Sequence, residues 1–181
     1  MWPRPLLWLL AMLLLAGCAT TDPAPAALWP LQSVSVAGGP VRALQQLDAR
    51  FLNRTEQFQA VVEIDGNRMS IVLLGMGGQR IATIVQQGSE PPQAELAIPL
   101  PIELPVRQMV ETIQLIYFPL SALPPLPEWR VEEGDLERQL FFRENPYASI
   151  RYPGGDPWSG HAEYRNLAHD FSFTIDSVRL P

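Results

Sequence analysis

Serine, histidine and acidic side chains near the carboxyl terminus are the residues whose types could carry out hydrolysis. Ser159, His161 and Glu163 lie close together along the chain, and His169 is followed by Asp170. Such side chains form a catalytic triad only when the fold brings them within hydrogen-bonding distance. The chain has no G-x-S-x-G motif, and PWSGH lacks the strand-to-helix context of that motif. We therefore predict no catalytic residues and no enzyme activity, with an esterase or thioesterase as the weakest alternative.

These side chains also lack the spacing of a metal or cofactor site. The sequence holds two histidines and one cysteine, without the H-x-x-x-H or H-E-x-x-H pairs that place two ligands on one helix face. The glycine-rich GMGG at residues 75–78 lacks the lysine of a phosphate-binding loop. The acidic residues between Glu128 and Glu137 are typical of a solvated hairpin. We predict no metal and no cofactor.

The single cysteine, Cys18, follows a hydrophobic amino-terminal segment. Arg4 precedes an uncharged apolar run over residues 6–16, and the sequence LAGC ends at Cys18. A positive start, a short apolar run and small residues at its end are typical of a secretory signal. The run is shorter than the ~20 apolar residues of a membrane-spanning helix. We predict a cleaved signal peptide at residues 1–17.

The LAGC sequence resembles the bacterial lipobox. This resemblance implies that Cys18 is lipidated and becomes the mature amino terminus, anchored by its acyl chains. Ala19 follows, which by similarity to lipoprotein sorting signals implies the outer membrane, facing the periplasm. We expect a lipidated amino terminus and linker at residues 18–30 and one folded domain at residues 31–181. The alternative is an ordinary signal peptide with a buried structural cysteine.

The charge of the chain excludes some partners. Removal of Arg4 with the signal peptide leaves 12 arginines, no lysine and 19 acidic residues, a net charge of −7. Nucleic-acid binding depends on clustered basic residues that neutralise phosphates, so we expect no nucleic-acid partner. The same acidity argues against broad electrostatic adhesion to anionic lipid. We expect a monomer.

Alternating apolar and polar residues predict antiparallel strands after residue 50. FQAVVEI places Phe58, Ala60, Val62 and Ile64 on one face, and DGN at residues 65–67 favours a hairpin turn. RMSIVLL and QRIATIVQQG continue the meander. A second strand group comprises EWRVEE, DLERQLFF, YASIRY, GHAEYRN and DFSFTIDSV. Turn signals at roughly ten-residue spacing favour one continuing antiparallel sheet.

The segment VRQMVETIQLIYF predicts an amphipathic helix over residues 106–118. Its apolar residues recur at helical spacing, while Arg107, Glu111 and Gln114 are among the residues of the opposite, polar face. Pro105 and Pro119 mark the start and end of the helix. We expect the apolar face to pack into the concave side of a curved sheet, an α+β arrangement.

The order of these segments resembles the LolA/LolB superfamily of lipoprotein carriers. It is more similar still to a related bacterial outer-membrane lipoprotein family, often encoded with aryl-polyene pigment and lipid biosynthesis genes. The resemblance is carried by the lipobox, the strand pair MSIVLLGMGGQRIATI, the helical IQLIYFPLSALP, the EWRVEE strand and the closing FTIDSV. It implies an α+β fold, an incomplete antiparallel β-barrel with short helices covering its concave face, around an apolar cavity.

The resemblance also implies a function. An outer-membrane lipoprotein of this kind would bind an acyl or lipid-like ligand, or an acylated protein, and assist its transfer or localisation, with a periplasmic carrier protein as a candidate partner. Met76 occupies the loop in which such carriers expose an apolar side chain to the membrane. The candidate cavity residues are Met69, Ile71, Leu73, Ile81, Met109, Ile113 and Ile116.

The apolar runs leave a second interpretation open. In SIVLLG the residues that would point to either face of a strand are apolar, which is typical of a strand buried on both faces. Either a bound ligand or a closed hydrophobic core could bury the second face. The alternative function is therefore a non-catalytic envelope scaffold with a filled core that binds a protein partner. Glycines beside Met76 are equally consistent with a plain hairpin turn.

Overall fold

A ten-stranded antiparallel sheet forms most of the described chain. The computed structural model describes residues 29–51, 54–100, 103–123 and 125–181. In chain order the strands are β1 (Val41–Phe51), β2 (Arg54–Asp65), β3 (Arg68–Leu74), β4 (Arg80–Gln87), β5 (Gln93–Leu96), β6 (Trp129–Glu133), β7 (Glu137–Phe142), β8 (Asn145–Arg151), β9 (His161–Asn166) and β10 (Phe171–Arg179). Their order across the sheet is β5-β4-β3-β2-β1-β10-β9-β8-β7-β6. The first and last strands therefore pair at the centre and join two meanders.

One α-helix, α1 (Val106–Tyr117), lies between β5 and β6 in the chain and packs on the sheet. It begins after Pro105 and ends where Phe118 returns to extended backbone, ahead of Pro119. Proline suits a helix start because it lacks an N–H, and it disfavours helical backbone in the residue before it. The predicted helix over residues 106–118 is confirmed. Three 3-10 turns, at Val34–Val36, Leu120–Ala122 and Pro157–Ser159, complete the helical structure of the described residues.

The predicted three-stranded meander is confirmed as β2, β3 and β4. Ala60, Val62 and Ile64 of β2 belong to the hydrophobic core and Phe58 packs against it, as their alternation predicts. Ile64 pairs with Met69 of β3, which places their side chains on the same face of the sheet. The period-two pattern thus sets both the register and the buried face of this half.

Two strands lie where the sequence analysis predicted none. On the inward face of β1 the larger Val41 and Leu47 alternate with Ala43, Gln45 and Ala49, which are small or polar, so its hydrophobic signal is interrupted. β5 lies in the proline-rich region, and its four residues are all exposed. The hairpin turn between β7 and β8 is formed by Arg143 and Glu144, both with positive φ. Pro146 lies at a register shift within β8.

The described chain is thus mostly β, an open antiparallel sheet with one α-helix. Within the described residues, no helix is both long and apolar enough to cross a membrane. Trp29, which the sequence analysis assigned to the linker, is only 1% exposed, so the folded part includes Trp29. The predicted signal peptide, Cys18 and the rest of the linker to residue 28 lie outside the described residues.

Candidate functional site

The predicted ligand-binding residues belong to, or pack against, the hydrophobic core that the sheet and α1 share. Met69, Ile71 and Leu73 alternate along β3 and are at most 4% exposed. Ile71 pairs with Ile84 of β4, whose side chain is also fully buried. These residues form part of one continuous hydrophobic cluster with the helix. Because it is close-packed, this part of the inner face is core.

The other predicted residues divide into two groups by exposure. Ile116 of α1 is 1% exposed and belongs to the core. Met109 and Ile113 of α1 and Ile81 of β4 are only partly buried, although they pack against the same cluster. Ile81 lies where the β3–β4 register shifts, a bulge that reorients side chains. Four of the seven predicted residues are therefore enclosed, and three remain partly accessible.

α1 buries part of its predicted polar face as well as part of its apolar face. Val110, Ile116 and Tyr117 are buried as expected, and Glu111, Thr112 and Gln114 are buried with them. Gln114 is completely buried and Glu111 is 4% exposed, whereas Val106, Met109 and Ile113 are only partly buried. We call Val106, Met109 and Ile113 the apolar edge of α1. Gln114 and one carboxylate oxygen of Glu111 find hydrogen-bond partners inside the protein, which reduces the cost of burying these side chains.

Gln114 joins the helix to both the sheet and the amino-terminal segment. Its side-chain nitrogen donates to Gln86 Oε1 of β4 at 2.9 Å and to the Gln32 carbonyl at 3.0 Å. Its side-chain oxygen accepts from the Gln32 backbone N–H at 2.7 Å. Gln86 in turn donates to the Gln32 carbonyl and to the Gly88 carbonyl. Three glutamines thus form a satisfied polar network in the core.

Glu111 and Arg107 hold Trp29 at the amino-terminal half of α1. Glu111 Oε1 accepts from the Trp29 backbone N–H at 3.1 Å, and Arg107 donates to the Trp29 carbonyl at 3.0 Å. Burial raises the pKa of Glu111 to about 7, against the opposing effects of the Trp29 hydrogen bond and Arg107. Glu111 Oε2 and the Trp29 indole nitrogen are buried without a hydrogen-bond partner among the described residues. The segment that follows the linker is therefore bound directly to the helix.

Arg138 of β7 binds the carboxyl-terminal end of α1. Its side chain is 5% exposed and donates to the Leu115 and Phe118 carbonyls at 2.6 and 3.1 Å. It also forms an ion pair with Glu133 at 2.6 Å. A cation is favoured at this end because the last carbonyls of a helix lack intrahelical donors. Arg138 alternates in phase with the buried Leu140 along β7. This spacing is the sequence signal that indicates the burial of Arg138.

Two tyrosines complete the attachment of this end of the helix. The Tyr117 hydroxyl accepts from Gln45 of β1 at 2.7 Å and lies 3.3 Å from the Ser177 hydroxyl of β10. Tyr152 donates to the Ile116 carbonyl at 2.6 Å. Burial raises the pKa of Tyr152 to about 12, and that of Tyr117 further. Both hydroxyls remain protonated at neutral pH, so both can donate.

Met76 lies on the turn between β3 and β4, as predicted, and is 52% exposed. The Gly75 N–H donates to the Gln79 carbonyl at 2.9 Å, which closes the turn. Gly78 has a φ of 78°, a conformation that favours glycine over other residues. The glycines are thus explained by turn geometry, and the same turn presents the methionine to solvent.

The serine and histidines singled out in the sequence do not come together as a triad. Ser159 Oγ donates to Asp156 at 2.6 Å, and this hydrogen bond is the main cause that lowers the pKa of Asp156. His161 Nδ1 instead lies 2.8 Å from Asp176 Oδ1. His169 lies at a different place, with its ring 6.3 Å from that of Tyr147. In this geometry the Ser159 hydroxyl has no histidine as its base.

A shallow surface pocket lies away from these residues. Its volume is about 260 Å³ and it is open to solvent. Its lining residues come from the start of β1, the end of β2 and the carboxyl terminus: Pro40, Val41, Arg42, Glu63, Ile64, Asp65, Leu180 and Pro181. The seven predicted ligand-binding residues do not line it. Among the residues that the structure describes, no group of three His, Cys, Asp or Glu side chains is arranged to hold a metal ion.

These observations define a class of protein, mostly β, with one helix fixed on an open sheet by buried polar side chains. A family model described as "Protein of unknown function (DUF3261)" matches residues 42–179. The chain belongs to this family. The match extends from β1 to the end of β10 and therefore includes α1 and the whole sheet. No curated protein matches the chain in sequence.

Proposed function

We propose that the protein is a lipid-anchored outer-membrane protein that binds an acyl or lipid-like group, free or carried by an acylated protein, and assists its transfer or localisation. The observation that carries the proposal is the apolar edge of α1. Val106, Met109 and Ile113 are partly exposed, although the same helix buries Glu111 and Gln114. An apolar surface kept accessible at the cost of burying polar groups is typical of a binding site.

The contacts of α1 also support an incomplete barrel. Gln114 bonds to β4 and the next residue, Leu115, bonds to Arg138 of β7. These strands are seven positions apart in the sheet order, which in a flat sheet would separate them by about 34 Å. Their approach to adjacent helical residues supports a sheet that bends around α1. A bent sheet of this kind matches the fold that the LolA/LolB resemblance implies.

The polar contacts of α1 restrict where a ligand would bind. Displacing the helix would break the bonds of Gln114, Glu111 and Arg138 at the same time, leaving several buried polar groups unpaired. An acyl chain would meet no such cost at the apolar edge. We therefore place the ligand along Met109 and Ile113, with Ile81 as a further partly accessible residue of the same cluster.

Native mass spectrometry tests the proposal. The chain beginning at residue 19, purified without its anchor, is expected to carry acyl species that organic extraction identifies. Met109→Glu should abolish the bound species, because a carboxylate is poorly solvated among acyl methylenes. Gln108→Glu adds the same charge at the exposed neighbouring position and should retain them. Protein that is free of lipid and takes up no fluorescent fatty acid would contradict lipid binding.

A scaffold function is the second candidate, and the packing of β3 favours it. Met69, Ile71 and Leu73 are enclosed in the core and leave little free volume beneath α1. A scaffold would bind a protein partner through its surface and carry no ligand. Chemical crosslinking in envelope extracts would then yield a defined partner with the Met109→Glu and Gln108→Glu variants alike.

A further inference from the structure

An apolar stripe crosses the outer face of the sheet, the face turned away from α1. Val72 of β3 alternates with buried residues, so its side chain points outward, where it is partly exposed. Val72 pairs with Val61 of β2, and Val61 pairs with Leu44 of β1. Leu44 pairs in turn with Val178 of β10, which is 61% exposed. We call Val72, Val61, Leu44 and Val178 the outer stripe.

The outer stripe accounts for half of the apolar pattern in SIVLLG. Ile71 and Leu73 lie in the core, whereas Val72 and Leu74 point outward and are partly exposed. Apolar residues on both faces are typical of a strand that is covered on both sides. Within the described chain α1 covers the inner face and the stripe stays accessible, so a cover for the outer stripe is expected from elsewhere.

The outer face of the other half of the sheet is charged instead. Arg151 of β8 pairs with Glu163 of β9, and their side chains form an ion pair at 3.6 Å. His161 of β9 lies 2.8 Å from Asp176 of β10. A sheet face in contact with water is ordinarily polar in this way. An exposed apolar surface bordered by polar residues, such as the outer stripe, is typical of an interaction site.

Arg42 of β1 and Glu63 of β2 border the outer stripe on one side. They pair directly with each other, two positions along the strands from the Leu44–Val61 pair, and both are exposed. Among the residues that the structure describes, neither takes part in an ion pair. The surface therefore carries one positive and one negative charge on opposite sides of the line between β1 and β2.

A two-fold axis parallel to the strands, midway between β1 and β2, makes this surface complementary to itself. Rotation about the axis exchanges the positions of the two strands, so Leu44 of one copy lies over Val61 of the other. Arg42 of each copy likewise lies over Glu63 of the other. The two remaining residues of the outer stripe, one strand further out on β10 and β3, also face each other. Apolar groups and opposite charges therefore meet across the same axis.

We propose that the outer stripe is the interface of a dimer of this chain, in which two sheets pack face to face about 10 Å apart. The four strands from β10 to β3, over about seven residues of β1, enclose roughly 450 Å² on each copy. This area is at the low end for protein interfaces, so the dimer should form reversibly and depend on concentration. The axis leaves both amino termini at the same end of the dimer. The dimer depends neither on acyl binding nor on lipidation, whereas the sequence analysis expected a monomer.

Charge reversal tests the dimer in the chain that begins at residue 19 and contains every described residue. In analytical ultracentrifugation the wild type is expected to shift from monomer to dimer as its concentration rises towards about 1 mM. Arg42→Glu and, separately, Glu63→Arg should weaken association about tenfold or more, because each change places like charges opposite one another twice. An equimolar mixture of the two variants should restore association, since the acidic surface of one then faces the basic surface of the other.

Arg151→Glu and Glu163→Arg are the matched controls, because they reverse the charges of a directly paired couple on the charged half of the outer face. Both should leave the dissociation constant unchanged, and circular dichroism establishes that every variant is folded. Leu44→Cys gives a second measurement, since the chain from residue 19 has no other cysteine. A short bismaleimide should join two copies through position 44 and should fail to do so with Ser149→Cys, on the outer face of β8.

Protein that remains monomeric up to about 1 mM and yields no crosslink at position 44 overturns the dimer and assigns the outer stripe to a different partner. A dimer that the mixture of Arg42→Glu and Glu63→Arg does not restore also overturns the proposal, because the contact then lies elsewhere. The same holds for a dimer that the two control variants weaken equally. None of these results affects the test of acyl binding by native mass spectrometry.

Discussion

Two edges of α1 differ in a way that departs from the usual amphipathic helix. The edge with Glu111 and Gln114 is buried, and the edge with Val106, Met109 and Ile113 is partly exposed. The buried polar groups bind the helix to strands and to residues 29–32, so they hold it in place. The apolar edge makes no such directional contacts. The comparison teaches that the buried polar residues fix the position of α1 by directional bonds, to which Val106, Met109 and Ile113 do not contribute.

The largest expected loss of stability comes from removing Arg138, which binds the carboxyl-terminal end of α1. Arg138→Ala should lower the free energy of unfolding by about 4 kcal/mol, because two buried helix carbonyls lose their donor. Urea denaturation measures the change. Arg130→Ala is the control, since Arg130 is 41% exposed and its pairing with Glu132 and Glu144 should contribute less than about 1 kcal/mol. Equal effects at the two positions would contradict the role assigned to Arg138.

Glu111 should make the stability of the protein depend on pH. Folding raises the pKa of its carboxyl from 4.5 to about 7, so the folded state binds more protons than the unfolded state between these values. Stability contributed by Glu111 is thus present below pH 4.5 and is lost as the pH rises to about 7. The loss amounts to about 3 kcal/mol, at 1.4 kcal/mol per pKa unit.

The Glu111→Gln variant isolates this dependence. Its side-chain amide cannot ionise but can still accept from the Trp29 N–H, so the variant should exceed the wild type in stability at pH 8 and approach it at pH 4.5. Glu103→Gln, at an exposed position before the helix, should follow the wild-type curve. Thermal unfolding across this pH range measures both. If the stability of Glu111→Gln changed with pH in parallel with that of the wild type, the buried Glu111 carboxylate would not be the cause of the pH dependence.

The glutamine network should show strong coupling between its members. Gln114→Ala should cost about 2 kcal/mol, because Gln86 and the Gln32 backbone lose buried partners. Replacing Gln86 and Gln114 together by leucine should cost less than the sum of the single changes, since the two side chains then pack as apolar groups. A double-mutant cycle by urea denaturation measures the coupling. Strict additivity would contradict a shared network.

The apolar edge should matter least for stability and most for binding. Ile113→Ser is expected to lower the free energy of unfolding by only about 1 kcal/mol, because Ile113 is partly exposed. It should nevertheless weaken uptake of a fluorescent fatty acid, measured by titration. Gln108→Ser, at an exposed position of the same helix, should change neither property. Unchanged uptake in the Ile113→Ser variant would move the proposed ligand away from this edge.

Local patterns were sufficient for the elements with strong periodicity. The prolines around VRQMVETIQLIYF bounded α1 to within one residue, and alternation predicted the inward face of β2. β1 was missed because its inward positions include Ala43, Gln45 and Ala49, which carry little hydrophobic signal. A central strand can be built from such residues when its neighbours and the helix supply the apolar cover.

Some of the residues that attach α1 to the sheet could be predicted from the sequence. Gln86 and Arg138 occur in phase with buried residues of β4 and β7, so alternation alone places them on the inner face. Glu111 and Gln114 gave no such signal, because a polar residue on an amphipathic helix ordinarily faces water. Nothing around Trp29 in the sequence shows that Glu111 and Arg107 bind its backbone.

The sequence by itself determined the helix bounds, the meander of β2 to β4, the turn at Met76 and the acidic charge. Only the tertiary structure decided which way α1 faces and that β1 pairs with β10 at the centre of the sheet. The physical reason is that helix and strand formation depend on neighbouring residues, whereas the burial of a polar side chain depends on hydrogen-bond partners far away in the chain. One hydrogen-bond partner of Gln114 is Gln32, which lies 82 residues away in the sequence.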